Sequence, residues 1–256
     1  MELLGRTFPA RALALAFTVT VLSVPAQAGR IVANNDEWAT TNAGYTSAGA
    51  ATTNNFVFNL ATFLAGSGGN ILVYSDNFAF TESSFKASLS AGGFNVTYGK
   101  ASANLSGFNA VFLSERVPGS VSDLTAFVNG GGGVYITAGS AFPGAAAEAA
   151  RWNPFLDPFG LQLGSVYNNC CGNDLVDNSS VHPLLNGVTQ LYYRDGNTVS
   201  TTGSSPNAAI IEYSSGLGLI GVYDSAVTLV PEPSTYALVG AGLFAAYLKR
   251  RSASRV

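Results

Sequence analysis

One stretch of sequence decides the fold: Phe127-Val128-Asn129-Gly130-Gly131-Gly132-Gly133-Val134-Tyr135-Ile136. Its first part completes a predicted helix with one apolar face, for which Ser122 is the expected cap. The four glycines end that helix and make a tight turn. A short apolar strand follows over 134–137. The glycines precede a strand rather than a helix, so they do not follow the dinucleotide-binding pattern.

The same alternation of short apolar strands and helices extends on both sides of this stretch. Strands are predicted over 71–74, 94–98, 110–114 and 191–193, and a terminal hairpin over 208–213 and 218–223 with its turn at 214–216. Helices are predicted over 55–65, from the capping residues 81–84 through Leu89, and over 145–152, running on toward Phe155. Strands that alternate with helices of about ten residues predict an α/β fold, a three-layer sandwich with a mostly parallel central sheet.

The N-terminal residues predict a secretory signal peptide. Arg6 and Arg11 supply the positive charge, residues 12–24 form an uncharged apolar run, and Ala26-Gln27-Ala28 has the small-x-small pattern of a cleavage site. We therefore expect residues 1–28 to be removed before Gly29. The run is short for a bilayer span, although an uncleaved anchor helix is the alternative interpretation.

The C-terminal residues combine three features in a fixed order. Pro231-Glu232-Pro233 precedes an uncharged apolar run over 236–248, and Lys249-Arg250-Arg251 follows at once. The run predicts a short transmembrane helix that the cations stop on the cytoplasmic side. The two prolines hold Glu232 in extended backbone, a form that suits the active site of a processing enzyme.

Residues 229–256 resemble the PEP-CTERM sorting signal of Gram-negative bacteria. The resemblance implies recognition by an exosortase, a membrane cysteine transpeptidase that cuts near the motif, after export through the Sec machinery and signal peptidase. It implies a chain held briefly at the inner membrane by its C-terminal helix and then passed to the envelope, the surface or the medium. Such proteins belong to bacteria that make extracellular polysaccharide, so exopolysaccharide and other envelope proteins are the expected partners.

The two ends leave residues 29–228 as one exported domain, long enough for a sizeable core. Of the 15 acidic residues of the chain, all but Glu2 and Glu232 lie there, which makes 13 against six basic residues and a net charge of −7. The six basic residues are Arg30, Lys86, Lys100, Arg116, Arg151 and Arg194. A negative domain with few lysines argues against binding of nucleic acid.

The order of elements over 55–225 resembles the flavodoxin-like fold of class I glutamine amidotransferase-like domains. That resemblance implies a nucleophile in the turn after the 134–137 strand, where the chain has Thr137-Ala138-Gly139-Ser140 and no cysteine. Glutaminase chemistry is therefore not expected. A serine relay is the alternative, with Ser140 as nucleophile, His182 as base, and Asp177 or Asp174 as the orienting carboxylate.

The plainer interpretation of the same residues is structural. Ser140 would cap the following helix, and His182-Pro183 would begin a turn, since no Gly-x-Ser-x-Gly elbow is present.

The remaining polar residues predict loops rather than a metal or cofactor site. The adjacent Cys170 and Cys171 either form a vicinal disulfide or stay as free or intermolecularly bridged thiols, and they lack the separated ligands of a zinc site. The clusters over 34–38 and 173–178 are oxygen-rich, but without a calcium-loop pattern they are expected to be solvated.

Four aromatic residues are assigned to the core, with stacking on sugars as the alternative: Trp38, Trp152, Tyr192 and Tyr193.

The sequence as a whole predicts an exported, exosortase-sorted envelope protein whose middle domain binds a partner or joins the extracellular matrix without catalysis and without a cofactor. The alternative is an exported hydrolase that uses Ser140 and His182. A third hypothesis keeps the C-terminal helix in the inner membrane as a simple anchor.

Overall fold

The computed structural model describes residues 28–100, 104–140, 144–168, 172, 174–227 and 241–242. Residues 26–229 form one compact unit, and of the second unit, Met1–Pro25 with Val230–Val256, the description covers residues 241–242, which are helical. The predicted signal peptide up to residue 27, the predicted transmembrane helix apart from residues 241–242, and the cysteine pair therefore lie outside the described residues. Across the described ranges, no helix is long and apolar enough to cross a membrane.

Eleven strands and six α-helices are described in residues 28–227. The strands are β1 (Arg30–Asn34), β2 (Asn70–Val73), β3 (Asn95–Tyr98), β4 (Ala110–Leu113), β5 (Gly133–Thr137), β6 (Leu161–Tyr167), β7 (Asp174–Asp177), β8 (Gln190–Tyr193), β9 (Asn197–Thr201), β10 (Ala208–Ser214) and β11 (Leu217–Asp224). The helices are α1 (Asn42–Ala48), α2 (Ala50–Ala65), α3 (Phe78–Thr81), α4 (Ser83–Ala91), α5 (Val121–Asn129) and α6 (Ala145–Leu156). Short 3-10 helices lie at Trp38–Thr40, Asp157–Phe159, Pro183–Leu185 and Ser225–Val227.

Seven of the strands form the central sheet, in the order β10-β11-β1-β5-β4-β2-β3. The five strands from β1 to β3 in that order are parallel, because helices carry the chain back between most of them. The hairpin β10–β11 adds two antiparallel strands beside β1. The predicted α/β class with a mostly parallel sheet is confirmed. Two smaller antiparallel pairs, β6–β9 and β7–β8, lie outside the central sheet.

Each face of the central sheet has its own apolar core. Strand residues alternate between the two cores, as Ile31 and Val32 of β1 do. On one face the sheet packs against α1, α2, α3 and α4, and an aromatic cluster of Phe80, Phe85, Phe112 and Tyr135 fills the centre. On the other face it packs against α5, α6 and the β6–β9 pair, with Trp152 fully buried.

The glycine run acts as a helix terminator and as a close-packing site. The amides of Gly130 and Gly131 donate to carbonyls of the last turn of α5. A Cβ at Gly133 would lie 2.3 Å from the carbonyl oxygen of Leu64, so only glycine lets α2 pack this closely on β5. The terminal hairpin is also confirmed, with Ser215 and Gly216 both at positive φ in a two-residue turn.

Three local predictions need correction. The cap of α5 is Ser120, not Ser122, because Ser120 forms a reciprocal capping box with Asp123. Helix α2 begins at Ala50, five residues before the predicted start at Asn55. The 30–34 segment, for which no strand was predicted, is β1, and it joins the parallel strands to the hairpin.

The outer edge at β10 is irregular. The register of β10 against β11 shifts on both sides of Glu212, which is the mark of a β-bulge. Glu212 is only 2% exposed, and its carboxylate accepts from the hydroxyl of Ser179 and the amide of Tyr213. Burial raises the pKa of Glu212 above its ordinary value.

Candidate functional site

A cleft of about 490 Å³ opens beyond the carboxyl ends of β1 and β5. Ligands of open parallel sheets usually bind at this end, where successive loops meet. The residues that line the cleft are Glu37, Trp38, Phe78, Gly139, Ser140, Tyr167, Arg194 and Asp195. They come from five separate segments of the chain: 37–38, 78, 139–140, 167 and 194–195.

Asp36 ties three of those segments together below the cleft. Its Oδ1 accepts from the amide of Trp38 at 3.0 Å, and its Oδ2 accepts from the amide of Arg194. Its backbone oxygen accepts from the hydroxyl of Thr137 at 2.8 Å. Burial raises the pKa of Asp36 to about 7 although the amide donors lower it. The side chain is fully buried, so it holds the site rather than lining it.

Glu37 reaches the cleft from an almost completely buried position. It is 3% exposed, and the side-chain amide of Asn77 donates to its Oε2. Among the described residues, its Oε1 accepts no hydrogen bond. Burial raises the pKa of Glu37 to about 8, and the nearby carboxylates of Asp36, Glu148 and Glu115 act in the same direction. At neutral pH the group is therefore mostly a neutral carboxylic acid that can donate a hydrogen bond.

The turn after β5 is closed by a carboxylate from α6. Glu148 accepts from the amides of Gly139 at 3.1 Å and Ser140 at 2.8 Å, and from the hydroxyl of Ser140. Gly139 has φ of +74°, where a Cβ would lie 3.1 Å from the carbonyl oxygen of Asn35. Glu148 is 1% exposed, and the hydroxyl of Tyr167 lies 3.5 Å from it. The carboxylate thus occupies the backbone donors that this turn presents.

Aromatic rings and one cation form a wall of the cleft. The guanidinium carbon of Arg194 lies 4.0 Å from the centre of the Trp38 ring. Phe78 and Tyr192 meet the same indole edge-on, at 5.1 and 6.3 Å between ring centres. Trp38 is half-buried, whereas Trp152 and Tyr193 are fully buried in the core.

Ser140 and His182 are at opposite ends of the sheet. Ser140 follows the carboxyl end of β5, while the ring of His182 packs on Phe63 at 5.6 Å between ring centres. Phe63 in turn carries the guanidinium of Arg30, the first residue of β1. The length of β1 alone separates these ends by about 13 Å at 3.3 Å per residue.

The proposed relay is therefore not assembled. Asp177 and Asp174 are exposed at the ends of β7 and accept nothing from His182. The imidazole Nδ1 instead accepts from the amide of Leu184 at 3.2 Å and caps a 3-10 helix, which agrees with the turn interpretation. Ser140 does not cap α6, because the residue before that helix is Gly144.

The prediction for the 34–37 cluster was wrong about its exposure to solvent. A solvated loop was expected, yet Asn34, Asn35, Asp36 and Glu37 are all buried. The useful signal was their position directly after an apolar triplet, 31–33, which is the core of β1. Within the described residues, no group of three or more His, Cys, Asp or Glu side chains is placed to hold a metal ion.

Comparison with known proteins adds information at the C-terminus. Residues 229–251 match the family model of the PEP-CTERM protein-sorting motif. The motif implies an exported protein that an exosortase recognises and sorts to the envelope. No curated protein and no solved structure matches the chain, so the resemblance of the middle domain to glutamine amidotransferase-like domains stays a prediction.

Proposed function

From the sorting motif at residues 229–251, we propose that this chain is an exosortase-processed envelope or surface protein whose 29–228 domain binds a partner without catalysis. Signal peptidase would remove residues 1–28, and the exosortase would act at Pro231-Glu232-Pro233. Lys249, Arg250 and Arg251 would hold the tail at the inner membrane until that step. Exopolysaccharide and other envelope proteins are the proposed classes of partner.

The observation that carries the non-catalytic part is the hydrogen bonding of Glu148. A serine nucleophile in a strand-to-helix turn needs backbone amides that point at the developing oxyanion. Here the amides of Gly139 and Ser140 donate to a buried carboxylate, which a negatively charged intermediate would have to displace. The serine hydroxyl donates to the same carboxylate. The hydrolase alternative with Ser140 and His182 also needs a contact across the length of a strand.

The sorting proposal is tested by the mass of the mature C-terminus. The chain is expressed in hosts with and without an exosortase, and the C-terminal peptide is identified by mass spectrometry. We expect a shortened C-terminus only with the exosortase, and an intact one when residues 231–233 are replaced by alanine. Substitution of Ser252, Ala253 and Ser254 by glycine is the matched control and should be processed normally. An intact tail in both hosts would refute the proposal.

The absence of serine chemistry is tested with a fluorophosphonate probe. The full-length chain should remain unlabelled under conditions in which subtilisin is labelled to completion. Labelling that disappears in the Ser140→Ala variant would show an activated nucleophile and restore the hydrolase hypothesis. The His182→Ala variant shows whether His182 acts as the base. A relay between Ser140 and His182 would lose labelling in this variant, whereas a Ser140 nucleophile that does not need His182 would keep it.

A further inference from the structure

We propose that the cleft beyond β1 and β5 binds a neutral saccharide ring, with the side chain of Glu37 donating a hydrogen bond to one of its hydroxyl groups. This inference rests on the proposed binding function and names the class of ligand for that site.

The lining of the cleft fits the two-sided chemistry of a sugar. A pyranose ring presents apolar C–H groups that pack on aromatic rings, and hydroxyl groups that need both donors and acceptors. Trp38 and Phe78 supply aromatic surface. Asp195 supplies acceptors, and Arg194 and Tyr167 add polar groups to the same lining. The volume of about 490 Å³ lies within the range of small-ligand sites, about 300–1,000 Å³.

Glu37 is the residue of the cleft whose side chain has a hydrogen-bonding position left for a ligand. A carboxyl that is 97% buried normally has all its oxygens paired within the protein. Asn77 donates to Oε2, which fixes the orientation of the group, whereas Oε1 accepts no hydrogen bond among the described residues and is not one of their fully buried unpaired atoms, so it keeps access to the cleft. Because Glu37 also lines the cleft, a ligand hydroxyl is the natural partner for this end of the side chain.

The surrounding charges select a neutral ligand. Asp36 on the same segment, Glu148 on α6 and Glu115 after β4 all lie close enough to raise the pKa of Glu37. Asp195 adds an exposed carboxylate at the rim. Arg194, the one cation among the described residues that line the cleft, stacks on Trp38. The negative charge of a uronic acid or a phosphate would be repelled by these carboxylates, which would weaken its binding. A neutral sugar carries no such charge.

These charges also make the proposed contact sensitive to pH. While Glu37 holds its proton it can donate to a hydroxyl group and accept from another. Above about pH 8 it becomes a carboxylate beside Asp36, Glu115 and Glu148, and loses its donor. Neutral saccharides should then be bound through fewer hydrogen bonds.

The experiment is calorimetric titration of the full-length chain, in a detergent without sugar, with neutral hexasaccharides of glucose, galactose, mannose and N-acetylglucosamine. Hexagalacturonate is the anionic counterpart. We expect at least one neutral hexasaccharide to bind, hexagalacturonate to bind at least tenfold more weakly, and affinity for the neutral sugar to fall about tenfold between pH 6.5 and 9.

The Glu37→Gln variant should lose most of that pH dependence, because its amide does not titrate. The matched control is Glu212→Gln, another buried carboxyl with a raised pKa that does not line the cleft, and it should keep both affinity and pH dependence. Trp38→Ala should weaken binding about tenfold or more. Binding of none of the neutral sugars, or an unchanged pH profile in Glu37→Gln, would overturn the inference.

The outcomes separate this inference from the proposed function. A chain that is processed by an exosortase but binds no neutral sugar contradicts the saccharide inference alone. A chain that binds the sugar but keeps its tail contradicts the sorting alone. Release of new reducing ends from the bound hexasaccharide would refute the non-catalytic proposal while leaving the ligand class in place.

Discussion

The backbone nitrogen of Ser140 lies 2.8 Å from the carboxylate of Glu148, which also accepts the hydrogen bond of the Ser140 hydroxyl group. The two residues are eight positions apart: Ser140 lies in the connection from β5 to α6, and Glu148 is the fourth residue of α6. A buried carboxylate with three such donors fastens the start of α6 to the carboxyl end of the sheet. It also occupies the backbone amides of the turn, which would otherwise be available to a substrate oxyanion.

Replacement of Glu148 should therefore destabilise the domain. Glu148→Ala leaves the buried amide of Gly139 without an acceptor and should lower the free energy of unfolding by about 2–3 kcal/mol. The measurement is urea unfolding followed by circular dichroism. Asp174→Asn removes an exposed carboxylate and is the control, with an expected change within about 0.5 kcal/mol. A loss for Glu148→Ala as small as the control's would contradict this role.

Stability should fall as the pH rises from 7 to 9. The pKa values of Asp36 and Glu37 are raised to about 7 and about 8, so the folded chain holds protons that the unfolded chain has released. Because the folded state binds more protons, the free energy of unfolding decreases with pH until these groups have titrated. Burial lowers the pKa of His182 from 6.5, so this residue is largely neutral in both states over that range.

The comparison of wild type with Glu37→Gln isolates one of these acids. The variant should lose stability less steeply than the wild type between pH 7 and 9, and the remaining slope comes mainly from Asp36. Urea unfolding at four pH values gives both slopes. Equal slopes would show that Glu37 releases its proton at an ordinary pH.

The capping box of α5 gives a test with two neighbouring serines. Ser120→Ala removes the side chain that accepts from the amide of Asp123 and should cost about 1 kcal/mol. Ser122→Ala removes a hydroxyl that only pairs with that of Ser120 and should cost less than about 0.5 kcal/mol. Thermal unfolding of the two variants ranks them, and a larger effect at Ser122 would restore the assignment made from the sequence.

The stability of the domain should depend on the shape of the side chains in the aromatic cluster on one face of the sheet. Phe112→Leu removes a fully buried ring that packs on Phe80, Phe85 and Tyr135, and should cost about 1–2 kcal/mol. Phe58→Leu changes a ring that is 46% exposed and is the matched control, with an expected cost below about 0.5 kcal/mol. Similar losses in both variants would mean that the cluster is loosely packed.

The strands at the centre of the sheet were predictable because they are short apolar runs that need no partner to be recognised. Strands β2, β4 and β5 were predicted within a residue of their observed bounds. Strand β8 was predicted within a residue as well, whereas β6, β7 and β9 mix polar and apolar residues and carry little local signal. Strand β1 has only three apolar residues, and its importance comes from its two neighbours.

The sequence predicted where one residue of the site lies, but not which side chains surround it. Ser140 does lie at the carboxyl edge, as expected from its position after an apolar strand. Its pairing with His182 was suggested by residue type, and residue type does not reveal at which end of the sheet a loop lies. Asp36 and Glu37 were assigned to solvent because acidic side chains usually are exposed. Their burial follows from the order of strands, which places β1 in the interior of the sheet.

The bulge at β10 affects how readily copies of this exported protein could aggregate through the edge of the sheet. A strand at the border of a sheet offers unpaired amides and carbonyls to any similar strand nearby, and copies of an exported protein meet at high local density without ATP-driven chaperones. By turning the Glu212 side chain inward and breaking the register twice, β10 offers a neighbouring strand a poor template. Copies at high local density would then stay separate molecules instead of growing into fibres.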